Sequence, residues 1–141
     1  RQLFVERLNA QIDAAPGFQL VVSFNPGYQR GLKELKPSTR QRFVSIDFTY
    51  PEPELEEEVV IRETGVDGGA AKRLVALATK MRGLDELGLA EVPSTRLLVS
   101  AARLMQEELP ARLACQVGLV RPLTDDLEVR SALDDLVALV F

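Results

Sequence analysis

Residues 18–48 read FQLVVSFNPGYQRGLKELKPSTRQRFVSIDF, a sequence in which two apolar runs enclose a basic segment. Residues 18–24 are almost continuously apolar, which is typical of a strand that is covered on both faces in a parallel sheet. Residues 42–48 form a second strand-like run. Five basic residues and one acidic residue lie within residues 23–43. The pattern predicts two strands of an α/β sheet with a basic connection between them.

A β-hairpin is predicted just before these runs. The segments QLFVER and AQID, at residues 2–7 and 10–13, are short and strand-like. Leu8 and Asn9 between them suit a tight turn. Residues 1–50 are therefore expected to form the end of an α/β sheet that includes a hairpin.

The rest of the chain has a helical pattern, with apolar residues recurring every three or four positions. Residues 51–141 are therefore predicted to form an all-α domain of four or five helices. In the first helix Leu55, Val59 and Ile61 lie roughly on one side, and Gly65 ends the helix. The predicted helical segments are residues 54–65, 68–84, 92–110, 110–120 and 124–141.

Composition excludes several classes of function. Histidine is absent, which excludes His-based catalytic triads and the usual His-containing zinc sites from these residues, and no metal site is predicted. The single cysteine, Cys115, is assigned no chemistry, and it favours a reducing, cytoplasmic setting because no disulfide partner exists in the chain. No apolar run reaches the roughly 18–20 residues that cross a bilayer.

A nucleic-acid partner is also disfavoured. The chain carries a net charge of −4. Its basic segment, residues 30–42, lacks the aromatic interleaving of nucleic-acid binders, because only Tyr28 and Phe43 lie beside it. No nucleic-acid partner is therefore predicted.

Asn25 and two arginines are the candidate functional residues of the first fifty positions. Asn25 follows the first apolar run, and ligands of parallel sheets bind at the carboxyl ends of strands. Its amide could orient a water or contact a phosphate oxygen, but Asn25-Pro26-Gly27 also suits a simple turn. Arg40 and Arg42 are either surface charges or phosphate contacts, since the guanidinium group is planar, forked and always charged.

Three stretches of this chain carry a resemblance to a known family. They are residues 20–60, PSTRLLVSAARLM at residues 93–105 and VRPLTDDLEVRSAL at residues 120–133, with FNPGYQ, LKPSTRQRF and RPLTDD as the most specific parts. They resemble MoxR-type AAA+ ATPases of the branch named for CbbQ, NirQ and NorQ, in the region after the second nucleotide-binding motif. The resemblance implies that residues 1–50 are the terminal strands of a parallel P-loop-type sheet with a β-hairpin. Residues 51–141 would be the helical lid.

The resemblance also implies roles for individual residues. Asn25 would be the first sensor, which holds the attacking water against the γ-phosphate. Arg42 would be the arginine finger that reaches the nucleotide of the neighbouring subunit, with Arg40 as the alternative. Arg96, at the start of a helix, would be the second sensor for the phosphates of its own subunit, although it could also be a solvated helix residue.

The implied function is that of a ring-forming ATPase, expected to be hexameric, that remodels or activates a protein client. The client would be Rubisco or nitric-oxide reductase, the cofactors ATP and Mg²⁺, and the partner a protein with a von Willebrand factor A domain. No G-x-x-x-x-G-K-[ST] motif occurs in the chain, so the main nucleotide-binding residues are expected upstream of it and the chain alone is expected to be inactive. The alternative is a non-catalytic helical module that binds a protein.

Overall fold

The computed structural model describes residues 2–23, 36–84, 89 and 91–141. Contacts divide the chain into two units, Arg1–Ile46 and Asp47–Phe141, and each is considered by itself. The first unit contains β1 (Gln2–Val5), β2 (Ala10–Asp13) and α1 (Pro37–Arg40). The second contains α2 (Pro53–Thr64), α3 (Gly68–Arg82), α4 (Thr95–Gln106), α5 (Ala111–Cys115) with a π-helical continuation (Gln116–Val120), and α6 (Leu127–Val140).

The predicted hairpin is confirmed, but its turn is longer than expected. β1 and β2 pair antiparallel, with Gln2 opposite Asp13 and Val5 opposite Ala10. A short 3₁₀ turn follows β1, and Asn9 closes the loop with a left-handed φ of 43°. Asparagine tolerates this conformation better than most residues. The connection therefore includes the whole 3₁₀ turn rather than two residues.

The predicted parallel strands are not formed in the described residues. Residues 18–23 and 43–48 have no strand pairing. Their apolar side chains remain open to solvent, with Val21 86%, Val44 93% and Phe48 91% exposed. A strand forms only when a neighbour accepts and donates its backbone hydrogen bonds. In the described part of the chain the sheet consists of β1 and β2 alone, so these runs have no such neighbour.

The described residues of the second unit form five helices, α2 to α6, in agreement with the helical prediction. Gly65 ends α2 with a left-handed φ of 74°, as its sequence position predicted. Asp67 caps α3 by accepting hydrogen bonds from the backbone N–H groups of Gly69 (2.9 Å) and Ala70 (3.0 Å). Asp126 caps α6 through the same type of contact. These local signals set the helix boundaries.

The core of the second unit is centred on α3, because this helix buries one broad apolar face. Buried side chains of α2, α4 and α6 pack against α3, and those of the π-helical segment join the same core next to α4 and α6. The largest fully buried apolar residues of this core are Leu74, Leu77, Met81, Leu98, Leu119 and Leu133. Among the described residues, no helix combines the length and apolar character needed to cross a membrane.

The π-helical segment packs closely against α4 at Gly118. A Cβ atom built at Gly118 would lie 3.1 Å from the Cα of Ala101 and 3.0 Å from the Cδ1 of Leu104. Backbone cannot withdraw from such a contact as easily as a flexible side chain can. Glycine is therefore required here by the close approach of two backbones.

We expect Gly118→Ala to lower the free energy of unfolding by about 1–3 kcal/mol, since the added methyl group overpacks this contact. Urea denaturation of the chain measures the change. Gly83→Ala is the matched control, because a Cβ at Gly83 would meet its nearest atom at an ordinary 3.6 Å. Its free energy of unfolding should stay equal or rise by less than about 1 kcal/mol. Equal stability of both variants would show that the contact has room for a methyl group.

Candidate functional site

The predicted site residues are distributed over both units. Asn25 lies outside the described residues, so its role as first sensor stays a prediction. Arg40 and Arg42 belong to the unit Arg1–Ile46, and Arg96 belongs to the unit Asp47–Phe141.

Arg40 and Arg42 lie on one short backbone turn. Arg40 is the last residue of α1, and the N–H groups of Arg42 and Phe43 donate to the carbonyls of Thr39 and Arg40, each at 3.0 Å. Both arginine side chains are exposed. Within the described segments, no ion pair involves either guanidinium group. The turn therefore presents two neighbouring positive charges to solvent.

Arg96 is the second residue of α4 and is exposed. Ser94 occupies the N-cap position, but its side chain makes no capping hydrogen bond. The first N–H groups of a helix have no intrahelical partner and carry a partial positive charge. A guanidinium group beside such a helix start attracts anions, and phosphate in particular. In the described part of the chain, no ion pair competes for the Arg96 side chain.

A buried ion pair lies directly behind the start of α4. Glu56 of α2 is only 1% exposed. Arg82, at the end of α3, donates to it through both terminal nitrogens, Nη1 to Oε2 at 2.8 Å and Nη2 to Oε1 at 2.7 Å. This two-pronged geometry is the strongest form of a charge-assisted hydrogen bond between side chains.

The ion pair also holds the residues that lead into α4. The hydroxyl of Thr95 donates to Oε1 of Glu56 at 2.6 Å, and Nε of Arg82 donates to the carbonyl oxygen of Pro93 at 2.8 Å. The ring of Tyr50 stacks on the guanidinium group, with its centroid 3.8 Å from Cζ of Arg82. We call these five residues the Glu56–Arg82 cluster. It joins α2, α3, the start of α4 and the segment before α2.

The carboxyl group of Glu56 stays ionised at neutral pH. Burial alone would raise the pKa of Glu56, but the hydrogen bonds from Arg82 and Thr95 and the positive charge of Arg82 together hold it below its usual value. The cluster therefore contains a true ion pair rather than a neutral acid.

Sequence reasoning missed this cluster because it placed the wrong face of α2 in the core. Leu55 and Ile61 were expected to lie on the apolar side, but they are 53% and 37% exposed, whereas Glu56 and Val60 are buried. The i,i+4 spacing of Glu56 and Val60 is visible in the sequence. Nothing in the sequence connects Glu56 to Arg82, its partner 26 residues later.

Cys115 is buried in the core. Burial raises the pKa of the Cys115 thiol to about 12, and the charge of Arg73 offsets only part of this effect. The thiol is therefore protonated and unreactive at neutral pH. Among the described residues, no cluster of three or more metal-ligating side chains occurs.

Comparison with known proteins identifies the relatives of this chain. Residues 56–140 match the family described as CbbQ/NirQ/NorQ C-terminal. The chain is 50% identical over 141 residues to "Protein NorQ" of Paracoccus denitrificans, covering 100% of this chain and 52% of that protein. It is 48% identical over 139 residues to "Denitrification regulatory protein NirQ" of Pseudomonas aeruginosa, covering 99% and 54% respectively. It is 47% identical over 133 residues to "Protein CbbQ" of Hydrogenophilus thermoluteolus, covering 94% and 50%.

The described residues define a mainly helical domain that carries an exposed arginine at a helix start and a buried ion pair behind it. The chain belongs to the CbbQ/NirQ/NorQ family, and the resemblance based on FNPGYQ, LKPSTRQRF and RPLTDD is confirmed. The chain spans about half the length of the curated relatives that it matches.

Proposed function

We propose that this chain is the nucleotide-sensing part of a ring-forming AAA+ ATPase of the MoxR type, which couples ATP hydrolysis to the remodelling or activation of a protein client. Besides membership of this family, one structural observation supports the proposal. The Arg96 guanidinium group is exposed at the start of α4, whose first turn has no side-chain cap. A positive charge beside a helix start that has no side-chain cap suits the phosphates of a nucleotide.

The proposed roles follow from the charge that develops during phosphoryl transfer. In the complete protein the γ-phosphoryl group of ATP would pass to water, and bound Mg²⁺ would neutralise part of its charge. Asn25 orients the attacking water. Arg96 binds the phosphates of its own subunit. Arg42, with Arg40 as the alternative, stabilises the transferred group in the neighbouring subunit.

The two-part organisation supports placement in a larger nucleotide-binding protein. Residues 1–50 would be the end of the parallel AAA+ core sheet, and residues 51–141 would be its helical lid. The exposed apolar side chains of Val21, Val44 and Phe48 are suited to burial against further strands. In a protein of the relatives' length, the other half would supply those strands, the phosphate-binding loop and the residues that hold Mg²⁺.

The client is proposed to be of the nitric-oxide reductase or the Rubisco type, handled in the cytoplasm by a hexameric ring and a partner with a von Willebrand factor A domain. A relative described as a denitrification regulatory protein supports the first client type. A relative of the CbbQ type, of which the chain covers 50%, keeps the second client type open.

A non-catalytic helical module that binds a protein is the second candidate. It is favoured by the lack of a G-x-x-x-x-G-K-[ST] motif in the 141 residues. The full reading frame distinguishes the two, because a phosphate-binding loop within about a hundred residues before Arg1 supports the ATPase.

Arg96→Ala tests the proposed function in the full-length protein. We expect ATP affinity to fall roughly tenfold, because one charge-assisted contact to phosphate is lost. Fluorescent-nucleotide titration measures the change. Arg103→Ala is the matched control on the same helix, since Arg103 makes only an exposed contact to Glu63 at 3.7 Å. Equal ATP affinity in the Arg96 variant and the control would refute the proposed role.

A further inference from the structure

The beginning of α4 is fixed by distant residues rather than by its own N-cap. The side chain of Ser94 makes no capping hydrogen bond. Instead, the residue before Ser94 and the residue after it are both held by the Glu56–Arg82 cluster. Pro93 accepts from Arg82 at 2.8 Å, and the hydroxyl of Thr95 donates to Glu56 at 2.6 Å. Both contacts fall within three residues of Arg96 along the chain.

The guanidinium group of Arg82 is largely committed to contacts within the protein, and its side chain is only 13% exposed. Its two terminal nitrogens bind Glu56, its Nε binds the Pro93 carbonyl, and one face is covered by the ring of Tyr50. A guanidinium group held by three hydrogen bonds and one aromatic ring acts as a structural link within the protein. Its exposed neighbour in this region, Arg96, remains available for an external anion.

The polar groups of the cluster do more than hold the helices together, because they also fix the position of the start of α4. An apolar pair of similar volume can hold two helices together as well as a buried ion pair does. Such a pair could not accept the Thr95 hydroxyl or donate to the Pro93 carbonyl. The ion pair is therefore suited to setting where α4 begins and in which direction Arg96 leaves the helix.

We infer that Glu56 and Arg82 are positioning residues for Arg96, holding the start of α4 so that the guanidinium group meets a nucleotide phosphate in one orientation. This inference rests on the proposed role of Arg96 as a phosphate sensor. Misplacement of a binding group by about 1 Å is costly when the geometry of contact matters, even if the group itself is intact.

The test uses ATP titration and steady-state hydrolysis by the full-length protein. Glu56→Gln keeps the shape of the side chain but removes the charge that orders the cluster. We expect ATP affinity to fall roughly three- to tenfold, the range typical of coupled neighbours. Glu63→Gln is the matched control, because it makes the same change on α2 at an exposed ion pair with Arg103. The control should keep the affinity of the unmodified protein.

A double substitution separates positioning from general stability. In the Arg96→Ala background, Glu56→Gln should cause no further loss of ATP affinity, because the group it positions is already gone. A full additional loss in that background would overturn the inference. So would a normal ATP affinity of Glu56→Gln when Arg96→Ala alone is impaired. If Arg96→Ala itself binds ATP normally, the proposed function fails instead, and the two failures are thus distinguishable.

Thr95 provides a second route if the Glu56 variant does not fold. Thr95→Val removes the hydroxyl that joins α4 to Glu56 while leaving the ion pair intact, and Thr95→Ser retains that hydroxyl. We expect the valine variant to lose ATP affinity roughly threefold and the serine variant to recover it. Equal affinity in the two variants would contradict the inference.

Discussion

Replacing Arg42 by alanine in the full-length protein should lower ATP hydrolysis by about 10³–10⁵-fold while ATP binding stays nearly intact. The expected loss is large because an arginine finger acts on the charge that develops in the transition state, not on the bound substrate. The exposed position of Arg42 on the turn after α1 is compatible with reaching a neighbouring subunit. Steady-state hydrolysis and nucleotide titration together measure the two effects.

Arg40→Ala and Lys36→Ala complete this experiment. Arg40 lies on the same turn, so the larger loss among the two arginine variants identifies the finger. Lys36 is the matched basic control, because it is exposed just before α1. Normal turnover by both arginine variants would remove the assigned role.

Mixed rings test whether the finger acts between subunits. An Arg42→Ala subunit retains Arg96, and an Arg96→Ala subunit retains Arg42. A junction is therefore complete when the Arg42→Ala subunit binds the nucleotide and the Arg96→Ala subunit supplies Arg42 as the finger. At ATP concentrations too low to occupy the Arg96→Ala protein, both variants alone should hydrolyse little ATP, and we expect mixtures of the two to recover part of the hydrolysis. Failure to recover any activity in rings shown to contain both subunits would place the finger within its own subunit.

Removing one partner of the buried ion pair should also have a large effect, in this case on the free energy of unfolding. We expect Glu56→Ala or Arg82→Ala to lower the free energy of unfolding by about 3–5 kcal/mol, because each leaves an uncompensated buried charge. The double substitution Glu56→Leu with Arg82→Met should recover most of this loss. Urea denaturation measures all three variants, and a loss in the single variants no larger than that of Glu63→Gln would contradict the expectation.

The same ion pair predicts acid sensitivity. The pKa of Glu56 is lower in the folded chain than its ordinary value of 4.5, so the unfolded chain binds more protons than the folded chain as the pH falls below that value. The contribution of Glu56 to stability is therefore fully present above about pH 4.5 and is lost as the pH falls through its folded-state pKa. Glu56→Leu/Arg82→Met should show a weaker decline over this pH range. An identical decline in both proteins would assign the acid sensitivity to other carboxyl groups.

Local sequence signals predicted the helical unit well, because they act over a few residues. Gly65 stops α2 through its left-handed conformation, and the apolar period of α3 places Leu74 and Met81 in the core. The hairpin was predicted for the same reason. The longer loop was missed, because a 3₁₀ turn before Asn9 leaves little mark on composition.

Predictions that depend on distant partners were less successful. The strand expected at residues 42–48 does not form in the described chain, because strand formation depends on a neighbour that the run itself does not specify. Glu56 was not among the residues expected on the apolar side of α2, because charged residues are rarely buried without a partner. That partner, Arg82, is contributed by another helix, and only the three-dimensional structure brings the two together.

Two contacts of α4 determine how a displacement of Arg96 would be transmitted to the rest of the helix. The Thr95 hydroxyl binds the start of the helix to Glu56 through a hydrogen bond. One to two turns further on, Ala101 packs closely against Gly118. A helix held at both places is expected to resist local bending between them. A phosphate bound at Arg96, as proposed, would therefore displace α4 together with the elements that it contacts, rather than only its first turn.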